Sequence, residues 1–244
     1  MAEFAAYDFK PDVKDPVFVV GLPGIGMVGR TAADFAAEKL GAKRFARIFS
    51  QELPAEARIT GGIIEPVCHS LWHAEANGKD IIFLLGSSQA STPQGMFSLS
   101  EYEFRIALGY GPVFMAILCG YGTDRGPQKP RVIGAASDPA LAGRLAGCGI
   151  DFSYGHREYG VAGAAGLFAG FGTAYGIETI CLMGETSGKN RDAESAASVV
   201  RALSLILGTE IDASELEAAG EKNGTDLQSG GEINEDADSI PYFG

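Results

Sequence analysis

The stretch Val17-Phe-Val-Val-Gly-Leu-Pro-Gly-Ile-Gly-Met-Val-Gly29 joins a short apolar run to a turn that is rich in glycine. The apolar run, residues 17–20, lies between a proline and a glycine, which is the pattern of a strand buried on both faces. Helix-forming residues follow over about 27–40 and stop at a glycine. A buried strand, a glycine-rich turn and a helix together predict the first unit of an α/β fold.

The same alternation continues outward from this unit. Apolar runs predict further strands at 45–49, 59–64, 67–76, 81–85, 113–118, 132–136 and 179–183. Helices are predicted at 100–108, where Ser100 and Glu103 form a capping box, within 161–175, over 192–207 and, briefly, after Asp212. The adjacent runs 59–64 and 67–76 indicate two neighbouring strands. The fold class is therefore α/β, with a mostly parallel or mixed central sheet and helices on both faces.

Charge divides the 244 residues into two unequal parts. The net charge is −12, but residues 210–244 contain ten acids against one lysine, so the preceding residues carry only −3. After about residue 219 the composition is too polar to bury a core. We predict a single α/β domain over 1–218 and a flexible acidic tail over 219–244. A nearly neutral domain gives no electrostatic reason to bind nucleic acid.

The four cysteines lie far apart and form no CxxC pair, which is typical of a reducing compartment. The first sixteen residues contain acids and lysines, so they lack the apolar core of a signal peptide. Residues 160–177 are uncharged, but they are too rich in glycine and alanine for a membrane span. We expect a soluble, cytoplasmic protein that does not bind a membrane.

The glycine-rich turn contains Gly24, Gly26 and Gly29 in the GxGxxG spacing of dinucleotide-binding folds. In such a fold the backbone of the turn would meet a pyrophosphate, and Glu52 would be the acid that follows the next strand. The alternative, which the proline at position 23 favours, is that these glycines allow a tight turn and close packing of helix on sheet. Packing is the preferred interpretation, and nucleotide binding remains the rival.

Other polar residues give weaker signals. Glu185 lies where a strand ends, which is a position for a ligand or for a helix cap, and capping is preferred. His69 and His73 have helical spacing for a metal site, but their neighbours indicate a strand. No nucleophile has an assignable base. We therefore predict no catalytic residues, no metal and no cofactor.

The end of the chain, Ile240-Pro-Tyr-Phe-Gly244, presents two aromatic side chains and an α-carboxylate on an acidic tether. Tyr242 and Phe243 are suited to anchor in a pocket of a partner protein, while the carboxylate of Gly244 meets a lysine or backbone donors. The alternative is that this segment folds back onto its own domain or onto a neighbouring subunit.

Four segments, in order, resemble the archaeal and bacterial proteins of the proteasome assembly chaperone 2 family. They are residues 21–29, Leu84-Leu-Gly-Ser-Ser-Gln89 with Tyr102, Gly160-Val-Ala-Gly-Ala-Ala-Gly-Leu167 together with Leu182-Met-Gly-Glu-Thr186, and the helix after Asp192. The resemblance covers most of residues 15–218.

The resemblance implies a sandwich fold similar to nucleoside phosphorylases and a non-enzymatic, homo-oligomeric scaffold that assists proteasome assembly. It also implies that a C-terminal hydrophobic–Tyr–any motif docks between proteasome α subunits. This chain departs from that motif, because Phe243 is the penultimate residue and lacks the tyrosine hydroxyl.

Overall fold

The computed structural model describes residues 3–123, 129–153 and 160–220. The first half contains β1 (Glu3–Tyr7), β2 (Val17–Gly21), α1 (Val28–Lys39), β3 (Lys43–Ser50), β4 (Ala57–Thr60), β5 (Ile63–Pro66), β6 (His69–Ala76), β7 (Lys79–Gly86) and α2 (Pro93–Leu108). The second half contains β8 (Phe114–Gly122), β9 (Val132–Ala136), α3 (Pro139–Leu145), β10 (Ile150–Asp151), α4 (Gly163–Ala174), β11 (Glu178–Thr186) and α5 (Ala193–Leu207). A short helical segment follows at 214–220.

Nine strands form one sheet in the order β1-β3-β6-β7-β2-β8-β11-β9-β10, while β4 and β5 pair only with each other. The central strands β7, β2, β8 and β11 are parallel. On one side β6, β3 and β1 continue the sheet in antiparallel fashion, and on the other side β9 runs antiparallel to β11. The prediction of a mixed sheet is confirmed. Its parallel strands lie in the middle, where both faces are buried.

The two faces of the sheet carry separate cores. Along β2, Val17 and Val19 face one core, whereas Phe18 and Val20 face the other. Helices α1 and α5 pack together over the first face, and α2 and α4 pack together over the second. The predicted cover of helices on both faces is therefore confirmed, and it explains why β2 reads as an unbroken apolar run.

The predicted strand at 59–64 is wrong in one respect, because a turn divides it. Gly61 and Gly62 both have positive φ, at 57° and 81°, and they connect β4 to β5 as a hairpin. The hairpin stands apart from the main sheet and exposes Ile59, Ile63 and Ile64. The apolar run therefore marked a projecting element and not a core strand. The neighbours of β6 are β3 and β7, not residues 59–64.

Helix α2 begins seven residues earlier than predicted, at Pro93 instead of Ser100. Thr92 is its N-cap, with its hydroxyl accepting a hydrogen bond from the backbone N–H of Gly95 at 3.0 Å, and Pro93 occupies the first turn. The predicted cap residue Ser100 instead lies buried in the middle of the helix, and so does Glu103. Ser100 and Glu103 have the spacing of a capping box, but in the structure they are two buried residues on one face of α2.

Three short elements, β1, α3 and β10, were not predicted from the sequence. Helix α3 carries a clear local signal, because Asp138 accepts hydrogen bonds from two N–H groups of its first turn and a proline follows. Within residues 3–123, 129–153 and 160–220, no helix is long and apolar enough to cross a membrane.

Candidate functional site

A cleft of about 430 Å³ opens at the carboxyl ends of β2, β8 and β11. Ligands of parallel α/β sheets bind at this edge. The lining is mostly small and apolar and includes Pro23, Gly24, Ile25, Gly120, Val161 and Gly163. The glycine-rich turn forms one wall, and the start of α4 forms the opposite wall. The cleft is therefore the candidate binding site of the parallel half of the sheet.

The glycine-rich turn is fixed by backbone hydrogen bonds. The carbonyl of Gly24 accepts from the N–H of Met27, and the carbonyl of Gly26 accepts from the N–H of Asp192, both at 2.9 Å. Gly26 has a φ of 61°, a conformation that glycine adopts without strain, and Met27 shares it at 53°. These bonds connect the turn to the start of α5, where Asp192 also caps the helix by accepting from Ser195.

The three glycines of the GxGxxG spacing have different surroundings. A Cβ atom on Gly29 would lie 1.9 Å from the carbonyl oxygen of Leu118, and one on Gly26 would lie 2.6 Å from the hydroxyl of Thr186. A Cβ atom on Gly24 would have no neighbour within 4 Å, and Gly24 is the glycine that lines the cleft. Close packing therefore accounts for Gly26 and Gly29, whereas Gly24 faces open space.

Gln89 bridges the two walls of the cleft. Its side-chain amide donates a short hydrogen bond to the carbonyl of Pro23, and its amide oxygen lies 3.5 Å from the N–H of Ala164 in α4. The sequence marks this position as a pocket edge, because Gln89 closely follows the buried strand β7. The opposite wall, formed by Val161 and Gly163, gave no such signal, because an apolar glycine-rich run also fits plain core packing.

Glu185 does not line the cleft and does not cap a helix. Its carboxylate accepts from the guanidinium of Arg131 at 2.6 Å and 3.1 Å and from the backbone N–H of the same residue at 3.2 Å. These bonds to Arg131 lower the pKa of Glu185, and burial acts in the opposite direction. Asp151 also pairs with Arg131. The prediction of a cap at Glu185 is wrong, because Asp192 caps α5. Glu185 instead joins β11 to the residue before β9.

Arg131→Ala is expected to lower the free energy of unfolding by about 1–2 kcal/mol, because it removes the guanidinium from the buried carboxylate of Glu185, which keeps the backbone N–H of residue 131, while water still reaches this edge. The loss should shrink on acidification, since the folded-state pKa of Glu185 is depressed and its contribution disappears as pH falls through that value. The control is Arg144→Ala, whose pair with Glu178 is about half exposed on both sides. Urea denaturation that gives equal losses for both variants would contradict the structural role.

Glu52 lies far from the glycine-rich turn. It follows β3, and β3 is separated from β2 by β6 and β7, which at about 4.8 Å between strands places it some 14 Å away across the sheet. In a dinucleotide-binding fold the strand bearing this acid lies beside the first strand. The side chain of Glu52 instead packs against Gly95 in the first turn of α2. The expected pairing of Glu52 with the turn is therefore wrong.

The two histidines of β6 each have a carboxylate partner. His69 Nδ1 lies 2.5 Å from Glu103 Oε1 and His69 Nε2 lies 2.8 Å from the carbonyl oxygen of Ser88, and both side chains are buried. His73 Nε2 lies 2.7 Å from Asp80 Oδ1. The strand interpretation of this segment is confirmed. Among the residues that the structure describes, no group of three or more His, Cys, Asp or Glu side chains is placed to hold a metal ion.

The predicted anchors Tyr242, Phe243 and Gly244 lie outside the described residues, as does the whole segment 221–244.

The described fold shows a parallel-centred mixed α/β sheet with helices on both faces and an apolar cleft at its carboxyl edge. The chain belongs to the PAC2 family, whose family model matches residues 18–228. The resemblance stated from the sequence is thus confirmed, while the likeness to nucleoside phosphorylases stays an expectation.

Three similar proteins from archaea illustrate the relationship. An uncharacterised protein of Methanocaldococcus jannaschii is 34% identical over 211 residues, which are 86% of this chain and 80% of that protein. The crystal structure of Pyrococcus furiosus PbaB, an archaeal proteasome activator, has a TM-score of 0.87 at 26% identity and covers 93% of this chain and 98% of its own. P. furiosus PbaA, a homologue of proteasome-assembly chaperone, shares the fold with a TM-score of 0.76 at 22% identity, over 92% and 90% of the two chains.

Proposed function

We propose that this chain is a non-enzymatic cytoplasmic partner of the proteasome that acts as an assembly chaperone or activator and contacts proteasome α subunits. The observation that carries the proposal is the match to PbaB, an archaeal proteasome activator, along nearly the whole of both chains. Membership of the PAC2 family over residues 18–228 supports the same class.

The C-terminal residues supply the contact in this proposal. Tyr242 and Phe243 are aromatic anchors, and the α-carboxylate of Gly244 meets a lysine or backbone donors in the partner. The segment 221–244 joins these anchors to the folded domain and is rich in acids. If the chain forms a homo-oligomer, several such ends meet one ring-shaped partner, and their linkage raises the effective affinity.

The chemistry of the cleft at the sheet edge supports binding over catalysis. Its thiol, Cys119, lies 3.4 Å from the sulfur of Cys181 on the neighbouring strand. This hydrogen bond and burial raise the pKa of Cys119 well above its ordinary value, so the thiol is not an activated nucleophile at neutral pH. Apart from Gln89 and Tyr121, the remaining lining is apolar or glycine, which suits shape recognition and not proton transfer.

Deleting residues 240–244 is expected to abolish capture of proteasome α-subunit rings by the immobilised chain, because both aromatic anchors and the native carboxylate are lost together. Binding of purified rings is measured by interferometry with the full-length and shortened chains. Ser239→Ala is the control, since it keeps the anchors, the carboxylate and the tail length.

Phe243→Tyr is expected to tighten binding by about 1 kcal/mol, roughly fivefold, because it restores one hydroxyl hydrogen bond.

Two results separate the parts of this proposal. Equal binding by the full-length and shortened chains would reject the role of the C-terminal residues and leave the partner in place. No binding of α-subunit rings by the full-length chain or by Phe243→Tyr would reject the proteasome as partner.

A further inference from the structure

A second cleft, of about 560 Å³, lies away from the glycine-rich turn and is lined by four arginines. Helix α1 contributes Arg30, strand β3 contributes Arg44 and Arg47, and the β4–β5 hairpin contributes Arg58. We call it the arginine cleft. Its lining also contains the carboxylates of Asp34 and Glu65, and Asp8 pairs with two of the arginines, so the four arginines exceed the three acids by one charge in a chain whose net charge is −12.

A β-bulge in β3 brings two of the arginines to one face. Arg44 is paired with Trp72 and Arg47 with Ser70, and the register shifts between Arg44 and Ala46. In a regular strand, residues three apart point to opposite faces. The extra residue at the bulge restores them to the same side, and it turns Phe45 and Ala46 together into the opposite core. The bulge therefore places both guanidinium groups on the cleft.

The arginines are only partly satisfied by the protein. Arg30 and Arg58 both donate to the carbonyl of Ser87, at 3.4 Å and 3.3 Å, and Arg30 also pairs with Asp34 at 3.2 Å. Arg44 and Arg47 share Asp8 at the longer distances of 3.5 Å and 3.6 Å.

Two donors in this cluster have no acceptor. Arg47 Nε and Arg58 Nε are buried, and neither has a hydrogen-bond partner among residues 3–123, 129–153 and 160–220. A buried donor is costly to leave unpaired, and a guanidinium binds oxyanions through paired N–H groups. Together with the excess of positive charge, this arrangement favours a ligand with several acceptor oxygens.

We propose that the arginine cleft binds a small organic phosphate whose phosphate groups carry two or more negative charges. Four guanidinium groups, two of them with an unpaired buried N–H, match the several oxygens of a diphosphate better than those of a single carboxylate, and their planar shape suits phosphate oxygens. The volume is that of a small-molecule site. Ile64, Trp72 and Leu85 in the lining supply apolar surface for the organic part of the ligand. Burial raises the pKa of Cys68, although Arg47 and Arg44 oppose it, so this thiol adds no negative charge at neutral pH.

Calorimetric titration of the full-length chain with pyrophosphate and with ADP, at one fixed ionic strength, tests the proposal. We expect both to bind, ADP more tightly because it adds apolar contact, and Arg58→Gln to raise both dissociation constants at least about tenfold. Arg105→Gln is the matched control. It removes the same charge from an exposed position on α2, where Arg105 pairs with Glu101, and it should change the constants less than about twofold.

Three results would overturn the proposal. They are no binding of pyrophosphate or ADP at millimolar concentration, equal effects of Arg58→Gln and Arg105→Gln, and citrate binding more tightly than pyrophosphate. If Arg58→Gln does not fold, as judged by circular dichroism, Arg44→Gln takes its place with the same expectation. The chain without residues 240–244 should bind both ligands unchanged, so this proposal can fail independently of proteasome binding.

Discussion

Gly29→Ala is expected to destabilise the protein by about 3 kcal/mol, which is the upper range for overpacking a close contact. The added Cβ atom would lie 1.9 Å from the carbonyl oxygen of Leu118 and 2.5 Å from its carbonyl carbon. Both are backbone atoms of the central strand β8, so no rotamer change relieves the clash. Helix α1 must move away from the sheet, and its buried alanines lose contact with the core; they are Ala32, Ala33, Ala36 and Ala37.

Gly24→Ala is the matched control for this prediction. Gly24 has an extended backbone with a φ of −166°, and a Cβ atom there has no neighbour within 4 Å. The change should stay within about 0.5 kcal/mol. Urea denaturation followed by circular dichroism measures both variants. Similar losses would mean that the spacing of the glycines matters through the turn itself and not through contact between α1 and β8.

The contrast between Gly24 and Gly29 shows what a sequence can predict at this motif. The pattern establishes a strand, a tight turn and a helix, because each depends on neighbouring residues. It does not distinguish a phosphate-binding turn from a packing turn, since both require glycine. The distinction rests on Leu118, which is distant in sequence and reaches Gly29 only when β8 takes its place beside β2.

Strand order limits the sequence prediction in the same way. Residues 45–49 and 81–85 were correctly predicted as strands, but the order of these strands relative to β2 was not predicted. Strand β7 lies between β2 and the strands β6 and β3, and this order removes Glu52 from the glycine-rich turn. Order within a sheet depends on long-range pairing, which no local spacing encodes.

The arginine cleft and the buried pair of His69 and Glu103 were missed for a related reason. The arginines come from α1, β3 and the hairpin, and two of them share a face only because of the bulge in β3. Glu103 looked like the end of a capping box, since spacing alone does not reveal that α2 begins at residue 93. The arginine cleft thus depends on an irregularity in β3, and the buried pair depends on where α2 begins.

Glu103→Ala is expected to cost about 3–5 kcal/mol, because it removes one partner of a buried ion pair. His69 and Glu103 are both at most 2% exposed. His69 Nε2 faces the carbonyl of Ser88. Because a carbonyl oxygen only accepts hydrogen bonds, this nitrogen carries a proton. The other ring nitrogen, Nδ1, faces the carboxylate of Glu103. Without Glu103 the imidazolium has no counter-charge. Glu101→Ala, on the same helix but in an exposed pair with Arg105, is the control and should cost less than about 1 kcal/mol.

The pH dependence of this loss distinguishes an ion pair from simple packing. Burial acts to lower the pKa of His69, but the charge and hydrogen bond of Glu103 and the bond to Ser88 outweigh it and raise the pKa above its ordinary value. The stabilisation is therefore complete below about pH 6.5, the ordinary value, and is lost as pH rises through the folded-state pKa. Glu103→Gln, which keeps the shape of the side chain, should remove that dependence.

Urea denaturation at about pH 6 and about pH 9 compares the wild type, Glu103→Gln and Glu101→Ala around the ordinary pKa of histidine. The wild type and Glu101→Ala should lose more stability between these two values than Glu103→Gln does. A parallel loss in all three would mean that His69 does not change its protonation on unfolding. The pair also holds Ser88, which precedes the bridging residue Gln89, so loss of the ion pair should loosen the contact between the glycine-rich turn and α4.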